Sequence, residues 1–190
     1  PVDGYGAAAE KGLIEAYDSP TAKEIPDKYK DPKHYWTGVY VGVLGFCSNQ
    51  KVLEEKGLQV PQSWDDLLKP ELKGQVSTAH PSTSGTAFTT LWTQVVLRGS
   101  EDAGLDYMKK MHANVLQYTK SGTAPGQIAG RGEVAVGLVF SHDCVKYRDE
   151  GMKDLVVSFP KEGTGYEIGG VALVKNSKHS EAAKKYIDWA

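Results

Sequence analysis

The chain has 190 residues with 22 Lys+Arg against 24 Asp+Glu, a net charge of -2, which excludes a surface dominated by polyanion binding. With 40% hydrophobic and 24% charged residues it has the balance of a folded globular protein, room for one domain or one domain and part of another. No apolar run approaches the roughly 20 residues of a membrane helix; the longest, Val39 to Cys47, is interrupted by Gly42 and Gly45.

The first element reads as a helix with Asp3 as N-cap and Gly12 as its stop, followed by a short extended segment from Leu13 to Tyr17. Residues 18–34 carry three prolines and many charges and read as a surface loop. Residues 35–48 are aromatic and β-branched, one or two strands whose glycines allow close backbone approach. Short helices follow over Lys51 to Lys56, stopped by Gly57, and over Pro61 to Leu68, where Ser63 is the N-cap and the first turn is acidic.

From Gln75 onward strands and helices alternate, which predicts a mostly parallel α/β sheet with flanking helices and right-handed crossovers. Strands are expected at Gln75 to Ala79, Val115 to Tyr118, Glu133 to Phe140, Leu155 to Phe159 and Tyr166 to Lys175. The third is apolar throughout, as for a strand covered on both faces. Helices are expected at Ser84 to Arg98, Asp102 to His112, Thr123 to Gly130 and His142 to Glu150, with Ser180 capping a last one. In the first of these, Phe88, Leu91, Trp92, Val95 and Val96 form one apolar face at helical spacing. The four tryptophans, Trp36, Trp64, Trp92 and Trp189, are assigned to the core.

Cys47 and Cys144 fit no metal-ligand spacing and are either small buried apolar residues, the expectation here, or one disulfide. The chain opens at Pro1 and ends at Ala190 inside a helical run, which reads as an internal piece of a longer protein. No secretory signal is visible, so the sequence is silent on where the parent resides.

In open α/β sheets, ligands bind beyond the carboxyl ends of the strands. Three strand-to-helix junctions stand there: Ser84-Gly85-Thr86-Ala87, Ser121-Gly122-Thr123-Ala124 and Ser141-His142-Asp143. Free N–H groups and the dipole at a helix start favour negative charge, glycine lets a ligand approach the backbone, and hydroxyls add neutral donors. Either Ser-Gly-Thr-Ala motif alone is explained by ordinary capping; two on one edge of a sheet point to a phosphate or phosphonate site. His142 and Asp143 at the third junction, with Glu167 after the turn Glu162 to Gly165, offer acceptors suited to sugar hydroxyls or an amine. Each is otherwise a surface residue, or for Asp143 an N-cap. A metal site of His142, Asp143 and Glu167 is disfavoured because neighbours in sequence do not easily face one ion. No G-x-S-x-G elbow, Walker motif or dinucleotide loop occurs, so no catalytic residue and no cofactor are assigned.

Taken together, Tyr35 to Gly38 with Gly42 and Gly45, Pro61 to Leu68 (PQSWDDLL), Pro70 to Gly74 (PELKG), Ser84-Gly85-Thr86, Tyr118 to Pro125, Gly132 to Gly137 (GEVAVG), His142-Asp143 and Gly163 to Gly169 (GTGYEIG) make the chain resemble the type II periplasmic solute-binding proteins of bacterial ABC importers. The group meant is that described for ferric iron, hexose phosphates or 2-aminoethylphosphonate. The resemblance implies a two-lobed hinged clamp. Residues 1–46 would be part of lobe one with a first crossover strand, 47–162 lobe two, and 163–190 a second crossover strand returning to lobe one. It also implies an extracytoplasmic parent that captures a small anionic solute and delivers it to a permease and its ATPase, without nucleic acid and open to self-association as a fragment. Ferric-binding members carry two adjacent tyrosines where Ser141-His142-Asp143 stand here, which favours the sugar-phosphate branch over iron. The alternatives are a ferric-binding protein of this fold and, from another class, a phosphate-ester-processing enzyme.

Overall fold

The computed structural model describes residues 2–190, Asp3 by its backbone alone. In chain order, helix α1 (Asp3–Glu10) starts at Asp3 instead of being capped by it, and Gly12 turns the chain out with φ +65°. Strand β1 (Ile14–Glu15) follows. The expected loop contains two short 3-10 turns, Pro20–Glu24 and Asp27–Tyr29. Strand β2 (Thr37–Asn49) is one continuous strand of 13 residues. Helix α2 (Gln50–Glu55) is capped by Asn49, whose side chain accepts from the Val52 N–H at 3.1 Å. Pro61 to Leu68 forms a 3-10 turn (Trp64–Leu68) under the Ser63 cap, not an α-helix.

The regular part then runs β3 (Val76–Ala79), α3 (Gly85–Arg98), α4 (Glu101–His112), β4 (Val115–Thr119), α5 (Ala124–Gly130), β5 (Val136–Phe140), α6 (Ser141–Asp149) and β6 (Leu155–Ser158). The expected last strand is broken into β7 (Tyr166–Val171) and β8 (Leu173–Val174). Helix α7 (Ser180–Trp189) starts at Ser180, with His179 in the cap position.

Two compact units emerge, one of Val43–Tyr166 and one formed by residues up to Gly42 with Glu167–Ala190. The larger is wider by four residues at each boundary than the 47–162 expected from sequence. Its sheet has the order β4-β3-β5-β2-β6. β3 runs parallel to both β4 and β5, while β2 runs antiparallel to β5 and β6. Four strands therefore point one way and β2 opposes them, a mixed sheet whose exception is the strand entering from the other unit. The apolar run of β5 is buried along its whole length. Val136 and Leu138 face a core with Phe46, Trp64, Leu67 and Met111, and Val139 faces a second with Ile128, Tyr147 and Leu155. Two-sided burial is why that strand lacks alternation.

Cys47 and Cys144 form a disulfide, which corrects the expectation of two unpaired buried residues. Both are nonetheless fully buried. A cross-link closing so long a loop is worth roughly 2–5 kcal/mol.

Helix α3 departs from expectation in orientation. Its buried side chains are Ala87, Thr90, Thr93 and Gln94, whereas Phe88, Trp92 and Val96 are 56%, 53% and 63% exposed. The reason lies in close backbone approach. A Cβ on Gly165 would strike the Thr93 hydroxyl, and one on Gly104 of α4 would lie 2.8 Å from the Val95 backbone. Only a small-residue face fits there, and the Thr90 and Thr93 hydroxyls donate to the Thr86 and Thr89 carbonyls one turn back. Of the tryptophans only Trp64 is a core residue; Trp92 and Trp189 are exposed.

In the smaller unit β1 pairs antiparallel with β8, and β7 pairs with β2. The Tyr17 and Ser19 hydroxyls both donate to the Asp188 carboxylate, tying α7 to the loop after β1.

Candidate functional site

β3 and β4 are parallel and in register at Ala79 and Thr119, so the two chains leave the sheet side by side. The His80 N–H donates to the Thr119 carbonyl at 2.9 Å, and the Thr83 hydroxyl reaches the Lys120 carbonyl at 3.3 Å. Ser84 then caps α3, its Oγ accepting from the Ala87 N–H at 3.4 Å. On the neighbouring loop the Ser121 and Thr123 hydroxyls lie 2.9 Å apart, and the Thr119 hydroxyl donates to the Ser121 carbonyl at 2.7 Å.

The two loops touch at Gly122. A Cβ built there would stand 2.7 Å from Ser84 Oγ and would collide with Thr86 Oγ1. The two Ser-Gly-Thr-Ala motifs thus meet, and with glycine there the Ser84 and Thr86 hydroxyls keep their places. Ser84, Gly85, Thr86, Ser121, Gly122 and Thr123 form one cluster of neutral hydroxyl and N–H donors at the carboxyl edge. The motifs are not equivalent. The first opens a helix of 14 residues with a side-chain cap. The second leads into α5 of only 7 residues, and Thr123 makes no capping bond. The helix dipole therefore acts from α3, while the second loop contributes hydroxyls and backbone donors.

β5 ends on this edge as well, because it runs parallel to β3, and α6 follows it directly. The His142 ring is exposed and stacks on Phe140 with centroids 5.9 Å apart. Its Nε2 lies 3.9 Å from Asp143 Oδ1. The Asp143 side chain is 14% exposed and does not cap α6. Burial pushes its carboxyl above the usual range, with His142 and Lys146 pulling the other way. A carboxylate held in this way costs stability at neutral pH. The folded state binds its proton more tightly than the unfolded one, so the cost disappears as pH falls through the raised pKa. Asp143→Asn should therefore raise the melting temperature at pH 7, and the gain should vanish below the ordinary carboxylate range; thermal unfolding at both pH values checks it.

Glu167 is the second residue of β7, half-buried, and belongs to the smaller unit, whereas the other eight expected site residues belong to the larger one. Among the described residues no group of three or more His, Cys, Asp or Glu side chains could hold a metal ion.

Sequence reasoning missed Tyr147. Its hydroxyl donates to the Thr123 carbonyl at 3.2 Å and its ring lies 3.0 Å from where a Gly126 Cβ would stand. It joins α6 to the second motif, and its place one turn beyond Asp143 was the available signal.

The larger unit is thus a mixed α/β sheet with hydroxyl and N–H donors along one edge. Residues 4–190 match the profile of the bacterial extracellular solute-binding proteins, and the chain belongs to that family. It is 43% identical, over 99% of its own length and 55% of the relative's, to an uncharacterized protein of Haemophilus influenzae. It is similar in structure to the periplasmic binding protein AfuA of Actinobacillus pleuropneumoniae, solved with exogenous fructose-6-phosphate bound. That likeness has a TM-score of 0.90 at 42% identity and covers 99% of this chain and 60% of that one. An Fe(3+)-binding periplasmic protein of Serratia marcescens is 25% identical over 93% of this chain and 52% of its own. The chain thus spans little more than half the length of these relatives.

Proposed function

We propose that this chain is the ligand-recognising part of an extracytoplasmic solute-binding component of an ABC importer. It would capture a small phosphate- or phosphonate-bearing metabolite, a sugar phosphate foremost, and deliver it to the permease without chemical change. The observation that carries the reading is the contact of Gly122 with Ser84 and Thr86, which gathers two sets of neutral donors at one point. An anion there meets hydroxyls, free N–H groups and the start of α3, with no carboxylate among the six residues. The likeness to AfuA supports a sugar phosphate in particular, and the periplasmic relatives support the location. Ser141-His142-Asp143 in place of adjacent tyrosines speaks against the ferric alternative. In this reading His142, Asp143 and Glu167 recognise the rest of the ligand, the two carboxylates as acceptors for its hydroxyls or an amine.

Titration calorimetry on the full-length protein separates the roles. Thr86→Glu should weaken inorganic phosphate and fructose-6-phosphate alike, because like charges would meet in a desolvated site. Glu167→Gln should cost fructose-6-phosphate roughly 1.5–3 kcal/mol, about ten- to hundredfold, and leave inorganic phosphate nearly unchanged. Equal losses for both ligands in Glu167→Gln would refute the partition.

A further inference from the structure

Helix α6 carries His142 and Asp143 in its first turn and packs on β6, α5 and β5. It has no side-chain cap, and only Cys144 and Tyr147 among its 9 residues are buried. Tyr147 is bound to the second Ser-Gly-Thr loop through the Thr123 carbonyl. Cys144 is joined covalently to Cys47. Cys47 lies inside the sheet, opposite Gly137 of β5 on one side and Val157 of β6 on the other. The bond thus fastens the residue immediately after Asp143 to a strand paired on both edges.

We propose that the Cys47–Cys144 disulfide is a positioning device for the His142–Asp143 turn, and that it sets how well the site prefers a sugar phosphate to phosphate alone. The inference rests on the functional reading above. The anion-binding residues hang from β3, β4 and α3, none of which carries a cysteine. The disulfide joins β2 to α6 and shares a buried cluster with Ile128 and Ala129 of α5, but with no residue of β3, β4 or α3, so its local effect falls foremost on the α6 arm of the site. A first turn that frays samples many side-chain geometries, and an acceptor that must be ordered on binding gives back part of its hydrogen-bond energy. Anchoring one residue away removes most of that cost before the ligand arrives.

The test uses Cys47→Ala/Cys144→Ala and, to preserve interior volume, Cys47→Val/Cys144→Ala, both in the full-length protein. Hydrogen exchange should accelerate by about tenfold or more across residues 141–149 and change little across 85–98. The Kd for fructose-6-phosphate should rise about tenfold while that for inorganic phosphate stays within about twofold. Equal weakening of both ligands would make the disulfide a general staple and overturn the proposal, as would unchanged exchange in α6. Because exchange needs no ligand, it judges the positioning role even if the wild-type protein binds neither compound, an outcome that would sink only the functional reading.

Discussion

Replacing Gly122 by valine should abolish anion binding, weakening inorganic phosphate and fructose-6-phosphate by at least about 100-fold each. The first added carbon already stands 2.7 Å from Ser84 Oγ and collides with Thr86 Oγ1. The hydroxyls must then turn away or the two loops must part, and either change removes donors from the point where they converge. Gly122 has no left-handed φ, so the backbone itself tolerates a side chain and the effect is purely one of space. Alanine should give an intermediate loss by the same clash. Both substitutions lie on half-exposed loop backbone and should leave the unfolding midpoint nearly where it was. Calorimetry with a parallel denaturation curve checks the pair of expectations. A valine variant that binds phosphate normally would show that the two motifs do not share a ligand.

The largest effect on stability is expected at Trp64. It is 2% exposed and sits between Phe46 and Tyr107, with ring centroids 5.0 and 6.5 Å away in edge-on geometry. Its indole N–H donates to the Gly163 carbonyl at 3.0 Å, and its own carbonyl accepts the Tyr107 hydroxyl. Burial drives the Tyr107 phenol far up, so that hydroxyl remains a donor at any working pH. Trp64→Ala removes the centre of this stack and orphans a carbonyl, which should cost about 3–5 kcal/mol, a large share of a domain's total. Trp64→Phe keeps most of the packing and loses the donor, for about 1–3 kcal/mol. Urea denaturation should show both as shifts in midpoint with an unchanged slope. A Trp64→Ala loss below about 1 kcal/mol would mean that this stack is not the core of the unit.

What the sequence disclosed and what it hid follow the range of the interactions involved. The helix expected over Ser84 to Arg98 rests on local chemistry and stands as α3, with Ser84 as its cap. The order of strands and helices from Val76 to Ser158 was legible for the same reason: composition changes sharply at each boundary. The orientation of α3 was not. Spacing identifies an apolar stripe of Phe88, Trp92 and Val96, but which side faces the sheet is decided by Gly104 and Gly165, which come from other elements. The Cys47–Cys144 pairing has no local signature at a separation of 97 residues. β2 was readable as extended, yet its antiparallel place among parallel strands depends on its path from the smaller unit.

The site divides in the same way. Two Ser-Gly-Thr-Ala motifs could be recognised as donors at loop ends because capping is a property of a few consecutive residues. Their convergence on Gly122 could be expected from strand order but not seen without the β3–β4 register that brings Ala79 beside Thr119. Asp143 stands at the strand-to-helix junction where the sequence puts it. Its burial and raised proton affinity arise from packing against the unit, which no single stretch of sequence records. Tyr147 and Cys144, the buried residues of the same helix, carry no binding motif of their own.

Titration calorimetry of the full-length protein with fructose-6-phosphate and, side by side, with fructose tests the central claim most directly. If Ser84, Thr86 and Gly122 form the proposed anion cradle, one molecule of the phosphorylated sugar should bind per chain, with fructose at least about 100-fold weaker, because charge-assisted bonds to the phosphate would supply most of the affinity. Equal affinity for the two sugars, or binding of neither, would contradict it.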